Sequence, residues 1–184
     1  VPYCPRCGTP LSSHEVAQGY KDVKERSAIA RFAAKDEENT YYLAWTTTPW
    51  TLPSNVALCV NPAEEYVKVK MREDGTVYYL AAALADTVLG EGAYDVQERF
   101  VGKDLEFREY TPLFDFVSPK EKCWYVTCAD YVTLTDGTGV VHIAPAFGED
   151  DANVGRRYDL PFVQLVDAKG EMTKETLWPG VFCK

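Results

Sequence analysis

Tyr66 to Met71 alternates cleanly, with Val67, Val69 and Met71 on one face and charged or polar neighbours between them. A period of two over so few residues specifies a half-buried strand and excludes an amphipathic helix. The same signature recurs along the chain at short intervals. Ile29, Arg31 and Ala33 alternate with Ala28, Ala30 and Phe32, Asp36-Glu37-Glu38-Asn39 supplies a turn, and Thr40 to Trp45 returns as the second arm of a hairpin. Val56 to Val60, Val77 to Leu80 (after the turn Glu73-Asp74-Gly75), Tyr94 to Phe100, Cys123 to Cys128, Val132 to Leu134 and Thr138 to Ile143 read as further strands. Val163 to Val166 and Gly180 to Cys183 close the series. Only two stretches read as helix. Ala81 to Leu89 is Ala- and Leu-rich and stops at Gly90. Gly148-Glu149-Asp150-Asp151 opens a second helix to about Tyr158, with its acids at the positive end. Many short strands with few helices predict a mixed α/β fold dominated by β: a closed or nearly closed β-barrel with short helices outside it.

A chain of 184 residues can bury one sizeable core. Its formal charge of −9 argues against a broad nucleic-acid surface but leaves room for gripping one strand end through local contacts. The most apolar stretch, Tyr78 to Leu89, contains Asp86 and is too short to span a bilayer, so no membrane association is expected. No signal-peptide pattern is visible, and the opening Val1-Pro2 predicts a piece cut from a longer protein. Cys59, Cys123, Cys128 and Cys183 sit without a disulfide-like spacing, which suits a reducing, cytoplasmic setting. Cys4 and Cys7 alone have metal-ligand spacing. They read as half of a zinc knuckle, with His14 a weak third ligand and no second pair to complete four. The expected organisation is a lead-in segment over 1–20 and one domain over 21–184.

Two clusters carry candidate chemistry. Trp45-Thr46-Thr47-Thr48-Pro49-Trp50-Thr51-Leu52-Pro53-Ser54-Asn55 is uncharged, rich in hydroxyls and stiffened by proline. On an extended backbone Thr46 and Thr48 share a face and Thr47 points away, while Pro49 biases Thr48 toward extension. The stretch suits a rigid pocket wall, and equally an edge strand running into a Pro-rich loop. The second cluster runs from Gly137 to Asp151. His142 ends a strand, Asp151 lies in the first turn of the next helix, and a small rigid link lets both flank one cavity. Each also has a plain structural role open to it: a satisfied strand-end histidine and an acid at a helix N-terminus. No G-x-S-x-G elbow, HExxH or glycine-rich phosphate loop is present. Hydroxyls, one imidazole and one carboxylate around a small pocket favour holding water against a weak acyl bond, such as an ester between an amino acid and a ribose.

Together the clusters resemble the editing domain (connective peptide 1) of isoleucyl-tRNA synthetases, and Tyr3-Cys4-Pro5-Arg6-Cys7-Gly8 through Val16 resembles the segment leading into it. The leucine and valine editors of the same class carry Thr-Thr-Arg-Pro followed by an acid, and Pro-Ala-His-Asp. Here Thr48 and Trp50 stand at the first pair of positions, and Phe147-Gly148 at the second. The resemblance implies hydrolysis of the ester of valyl-tRNA(Ile), without aminoacylation by this piece and without a cofactor. Valine lacks one methylene relative to isoleucine, worth only about 1–3 kcal/mol in an apolar pocket, a limit whose standard illustration is this same family. It further implies that Asp151 binds the α-ammonium, that Thr46, Thr47 and Thr48 orient carbonyl or water, and that His142 excludes isoleucine. Trp50 would shape the pocket and Asn55 would bind the terminal adenosine. Whether His142 is also a general base stays open. The implied partners are the tRNA 3′ end carrying valine and the remainder of a parent synthetase, with the isolated domain a monomer. A non-catalytic tRNA-end module and a free-standing trans-editing deacylase are the alternatives.

Overall fold

The computed structural model describes Cys4, residues 6–22 and residues 24–183, so Val1 to Tyr3 and Pro5, on which part of the lead-in resemblance rests, lie outside the described residues. Eight strands form one strongly curled sheet: β1 (Ala28–Ala33), β2 (Thr40–Thr46), β3 (Ala57–Val60), β4 (Glu65–Met71), β5 (Val77–Ala81), β6 (Tyr94–Val101), β7 (Tyr125–Cys128) and β8 (Val140–Ile143). Their order is β6-β4-β5-β2-β8-β3-β7, with β1 paired to β2 as the expected hairpin.

The sheet closes on itself through an irregular segment. Residues 107–111 pair with β7, where Phe107 N–H donates to the Val126 carbonyl at 2.8 Å and Tyr110 N–H to the Trp124 carbonyl at 3.0 Å. On the other side the bridge Ala34↔Tyr110 joins the same segment to the end of β1. The expected barrel is therefore present, and β5, β4 and β6 extend it as a flap. Side chains that alternate inward fill it: Phe32, Tyr42, Ala44, Leu58, Val60, Val126 and Val140, with Tyr79 stacked on Tyr42 at 4.9 Å. The opposite faces are covered by helices. Val154 of α3 (Glu149–Arg157) packs with Ala57, Cys59 and Ile143, and Ala85 of α2 (Ala85–Leu89) with Leu43, Val67 and Leu80.

Several expected elements differ. Val132 to Leu134 is no strand: Val132 N–H closes a turn on the Ala129 carbonyl, and its carbonyl accepts from the Asn61 amide, so no ladder partner is needed. Val163–Val166 and Gly180–Cys183 contribute only the single bridges Val166↔Met172 and Glu171↔Phe182, and in the first of these stretches Leu165 N–H is claimed by the Ser54 hydroxyl. The stretch from Ala81 begins in β5, tightens into a 3-10 turn over Ala82–Leu84 and is α-helical only from Ala85. A helix not expected from the strand pattern, α1 (Ser13–Gln18), is set by a capping box. Ser12 N–H donates to the Glu15 carboxylate at 2.8 Å and Glu15 N–H to the Ser12 hydroxyl at 3.3 Å.

Candidate functional site

β2 and β8 run parallel and touch at one register pair, Trp45↔Val141. Beyond it they diverge, β2 into the threonine turn and β8 toward α3. The cavity lies in that fork. It measures about 250 Å³ and is lined by Trp45, Thr46, Thr47, Thr48, Thr51, Val141, His142, Phe147, Gly148 and Asp151. The two sequence clusters thus meet in space.

The threonine turn folds as it does for local reasons. Thr48 N–H donates to Thr46 Oγ1 at 3.0 Å, which bends the chain at the end of β2. Pro49 then begins a 3-10 turn over Pro49–Ser54, a position where its missing N–H costs nothing. With three residues per turn, Thr51 returns over Thr48. Its backbone N–H and its hydroxyl both donate to the Thr48 carbonyl, at 3.0 and 2.8 Å. Thr46, Thr48 and Thr51 form a hydroxyl ladder with Oγ1 separations of 3.4 and 3.3 Å. Thr46 and Thr51 are buried, and Thr47 is exposed at the rim.

His142 stands opposite, only 6% exposed, with β3 beside it through the pair Leu58↔His142. Its Nε2 lies 2.8 Å from Thr51 Oγ1 and its Nδ1 3.4 Å from Asn55 Nδ2. Burial pushes its pKa down to about 4, so the ring is neutral at pH 7. Asp151 projects from the first turn of α3. Its Oδ2 accepts from Ala144 N–H at 2.9 Å, tying the helix to the end of β8. Burial pushes its carboxyl above the ordinary value, and the neighbouring charge of Asp150 adds to this against the Ala144 hydrogen bond. Among the described residues it forms no ion pair. Gly148 makes room for it: a Cβ there would lie 3.2 Å from the Asp151 carboxyl carbon.

Trp45 is held as a wall by the loop before β8. Gly137 and Gly139 both take positive φ, and a Cβ on Gly137 would lie 2.9 Å from the Trp45 ring. Trp50 is half-buried in the 3-10 turn and is not among the lining residues. Asn55 lies behind His142 rather than in the cavity. Its Nδ2 donates to the Ala57 carbonyl at 2.8 Å, and its Oδ1 accepts from the Tyr110 hydroxyl at 2.5 Å. Thr51, Trp45, Val141, Phe147 and Gly148 receive no site role from sequence, although Phe147-Gly148 marks a departure from the leucine and valine editors. Only Thr51 had a usable signal, the spacing Thr48-Pro49-Trp50-Thr51 with proline at the start of a turn.

Cys4 and Cys7 lie far along the chain from these groups, half-buried and exposed respectively. Cys7 Sγ is 3.0 Å from Thr9 Oγ1, and that hydrogen bond lowers its thiol pKa. His14 contacts Gln18 on α1. The described residues gather no group of three or more His, Cys, Asp or Glu suited to a metal.

No family model matches the chain. Over its whole length it is 59% identical to a segment of isoleucine–tRNA ligase from Clostridium novyi, a segment that makes up 18% of that protein. The corresponding protein of Clostridium acetobutylicum is 58% identical over the whole chain, and that of Picrophilus torridus 47% identical over 99% of it. The chain thus spans less than a fifth of the length of the curated relatives it matches. Among solved structures, the P. knowlesi cytosolic leucyl-tRNA synthetase editing domain superposes with a TM-score of 0.61 at 13% identity, covering 77% of this chain and 66% of that one. The P. falciparum cytosolic leucyl-tRNA synthetase editing domain gives 0.53 at 14% identity, covering 65% and 48%. At such identities these structures speak for the fold alone.

Proposed function

We propose, from the premise that the chain is homologous to a segment of isoleucine–tRNA ligases and to the editing domain of class I aminoacyl-tRNA synthetases, that it hydrolyses the aminoacyl ester of mischarged valyl-tRNA(Ile). The observation that carries this is Asp151: a half-buried carboxylate with raised pKa that accepts from backbone N–H and, among the described residues, joins no ion pair, facing a cavity walled by hydroxyls. An α-ammonium supplies the missing charge through a charge-assisted hydrogen bond. With the ammonium held there, the ester carbonyl lies over the threonine turn. Thr46 and Thr48 hold carbonyl and water in reach of each other. Water forms the new bond to the acyl carbon, the ester C–O bond breaks, and the water's proton ends on the departing ribose oxygen. His142 does not move when a larger side chain enters, because both its ring nitrogens are engaged. A fixed ring is what steric rejection of isoleucine needs. Trp45 shapes the cavity in the role first expected of Trp50. No cofactor enters this reaction.

In this reading the partners are the 3′ end of tRNA(Ile) and the rest of a parent synthetase, in the cytoplasm. Among the described residues no helix is long and apolar enough to cross a membrane. The test is incubation of the chain with valyl-tRNA(Ile) and isoleucyl-tRNA(Ile). Release of valine with isoleucine retained supports the reading. Binding of both without release supports a non-catalytic RNA-end module, and equal release of both removes the size selection.

A further inference from the structure

The wall behind the cavity carries a hydrogen-bond chain whose direction is fixed atom by atom. The anchor is the Ala57 carbonyl, which can only accept. The Asn55 side-chain atom 2.8 Å from it is therefore the amide nitrogen, and the atom 2.5 Å from the Tyr110 hydroxyl is the oxygen. Tyr110 donates. The second amide hydrogen of Asn55 faces His142 Nδ1 at 3.4 Å. Two N–H groups do not face each other, so Nδ1 presents its lone pair. A neutral imidazole then carries its one hydrogen on Nε2, aimed at Thr51 Oγ1 at 2.8 Å. Thr51 can accept it because its own hydrogen goes to the Thr48 carbonyl. Along the path Tyr110, Asn55, His142, Thr51, Thr48 each donor points toward the threonine turn, and the other amide hydrogen of Asn55 branches to Ala57.

We propose that Asn55, turned by the Ala57 carbonyl and backed by the Tyr110 hydroxyl, is a positioning residue that holds His142 as the Nε2–H tautomer, so that the imidazole braces the threonine turn and offers no base to the cavity. Tyr110 is well placed for this. It lies on the segment that closes the barrel, 2% exposed, edge-on to Phe32 at 5.2 Å, so its hydroxyl is held by packing rather than by solvent. Among the described residues no other donor reaches Asn55 Oδ1. Asn55 is thereby a structural link in this chain, and its amide is spent before any nucleotide arrives. The tautomer follows from geometry alone, whereas its consequence for catalysis rests on the editing reading above. With Nδ1 covered and Nε2 protonated, the attacking water is ordered by hydroxyls and its proton passes toward the ribose oxygen, not through histidine.

The test is long-range 1H–15N NMR of the 15N-histidine-labelled chain at pH 7. The chain has two histidines, and the variant His14→Gln assigns them. The expected result is a lone-pair Nδ1 and a protonated Nε2 for His142. A protonated Nδ1, or an average of both forms, overturns the proposal. Tyr110→Phe keeps the ring and removes the hydroxyl. Because the Ala57 carbonyl still turns Asn55, His142 should keep the Nε2–H form there. Asn55→Asp, whose carboxylate can only accept, should instead move the hydrogen to Nδ1 and lower kcat for valyl-tRNA about tenfold with little change in KM. An Nε2–H form with an unchanged rate in Asn55→Asp overturns the role of Asn55, and mixed tautomers in Tyr110→Phe overturn the anchoring by Ala57. If the wild-type chain shows the expected tautomer but releases no valine, the editing reading falls and the relay stands. The reverse combination removes the relay and leaves the editing reading intact.

Discussion

Glu37 and Asp151 are both partly buried carboxylates lining cavities of the same barrel, and they differ in what answers their charge. Glu37 lines the larger cavity, about 450 Å³, with Lys35, Arg108, Glu109 and Lys122 around it. It pairs with Lys68, accepts from the Tyr79 hydroxyl at 2.7 Å and lies 3.9 Å from Arg108. Burial pushes its carboxyl up, but the Lys68 and Tyr79 hydrogen bonds and the nearby cations outweigh burial and hold it below the ordinary value. Asp151 lines the smaller cavity, about 250 Å³, accepts from the Ala144 N–H and, among the described residues, joins no ion pair, and its carboxyl is raised. Cavity size does not pick out the site. A charge matched inside the protein is structural, whereas one left a cation short beside hydroxyls is, in the proposed reading, the place for a cationic ligand.

The contrast can be broken most forcefully at Asp151. Asp151→Ala should lower kcat/KM for valyl-tRNA about 100-fold or more, the scale of one charged hydrogen bond. Its thermal midpoint should fall by a few degrees, because the buried Ala144 N–H loses its acceptor, while the chain stays folded at the assay temperature. Steady-state deacylation beside a melting curve checks both. Next in size is an acid effect centred on His142. Its folded pKa of about 4 lies below its ordinary 6.5, so the unfolded chain takes up the proton first as pH falls. That stability is present above pH 6.5 and is lost down to about pH 4, by at most about 3 kcal/mol. Urea titrations across this window should show the slope, and His142→Gln should flatten it.

The two carboxylates sharpen the comparison because their signs oppose. Glu37, depressed, loses stability as pH falls through its folded pKa, whereas Asp151, raised, gains stability as it protonates. Gly148→Ala sets a methyl 3.2 Å from the Asp151 carboxyl carbon and should displace the carboxylate. We expect about a tenfold fall in hydrolysis with the fold intact, measured as for Asp151→Ala. The smallest effect is expected from Glu37→Gln: about 1 kcal/mol of stability with deacylation unchanged, read from denaturant midpoints.

Much of the barrel was legible because its strands announce themselves locally. Alternation marked Tyr66 to Met71, the acidic turn at 36–39 marked the hairpin, and the acids at 149–151 marked α3. His142 and Asp151 were legible as a pair because only a short rigid link separates them. What depends on distant partners was not. Barrel closure runs through residues 107–111, which lack any alternating run, and the Val132 carbonyl and Leu165 N–H pair with Asn61 and Ser54, far along the chain, which no local pattern reveals. At the site, an extended reading of the threonine stretch pairs Thr46 with Thr48 but misses Thr51, which returns only because Pro49 starts a turn of period three. The same turn carries Trp50 out of the lining, whereas Trp45 joins it through the single register pair with Val141. α1 was missed although its capping box, Ser12 with Glu15, stands in the sequence.

The most direct test of Asp151 as the recognition point for an ammonium group compares two esters of the same tRNA. One carries valine, and the other carries 2-hydroxyisovalerate, which has valine's carbon skeleton without the amine. The chain is predicted to hydrolyse the valyl ester about 100-fold faster, and Asp151→Ala should erase that preference. Equal rates on both esters in the unmodified chain would contradict the account.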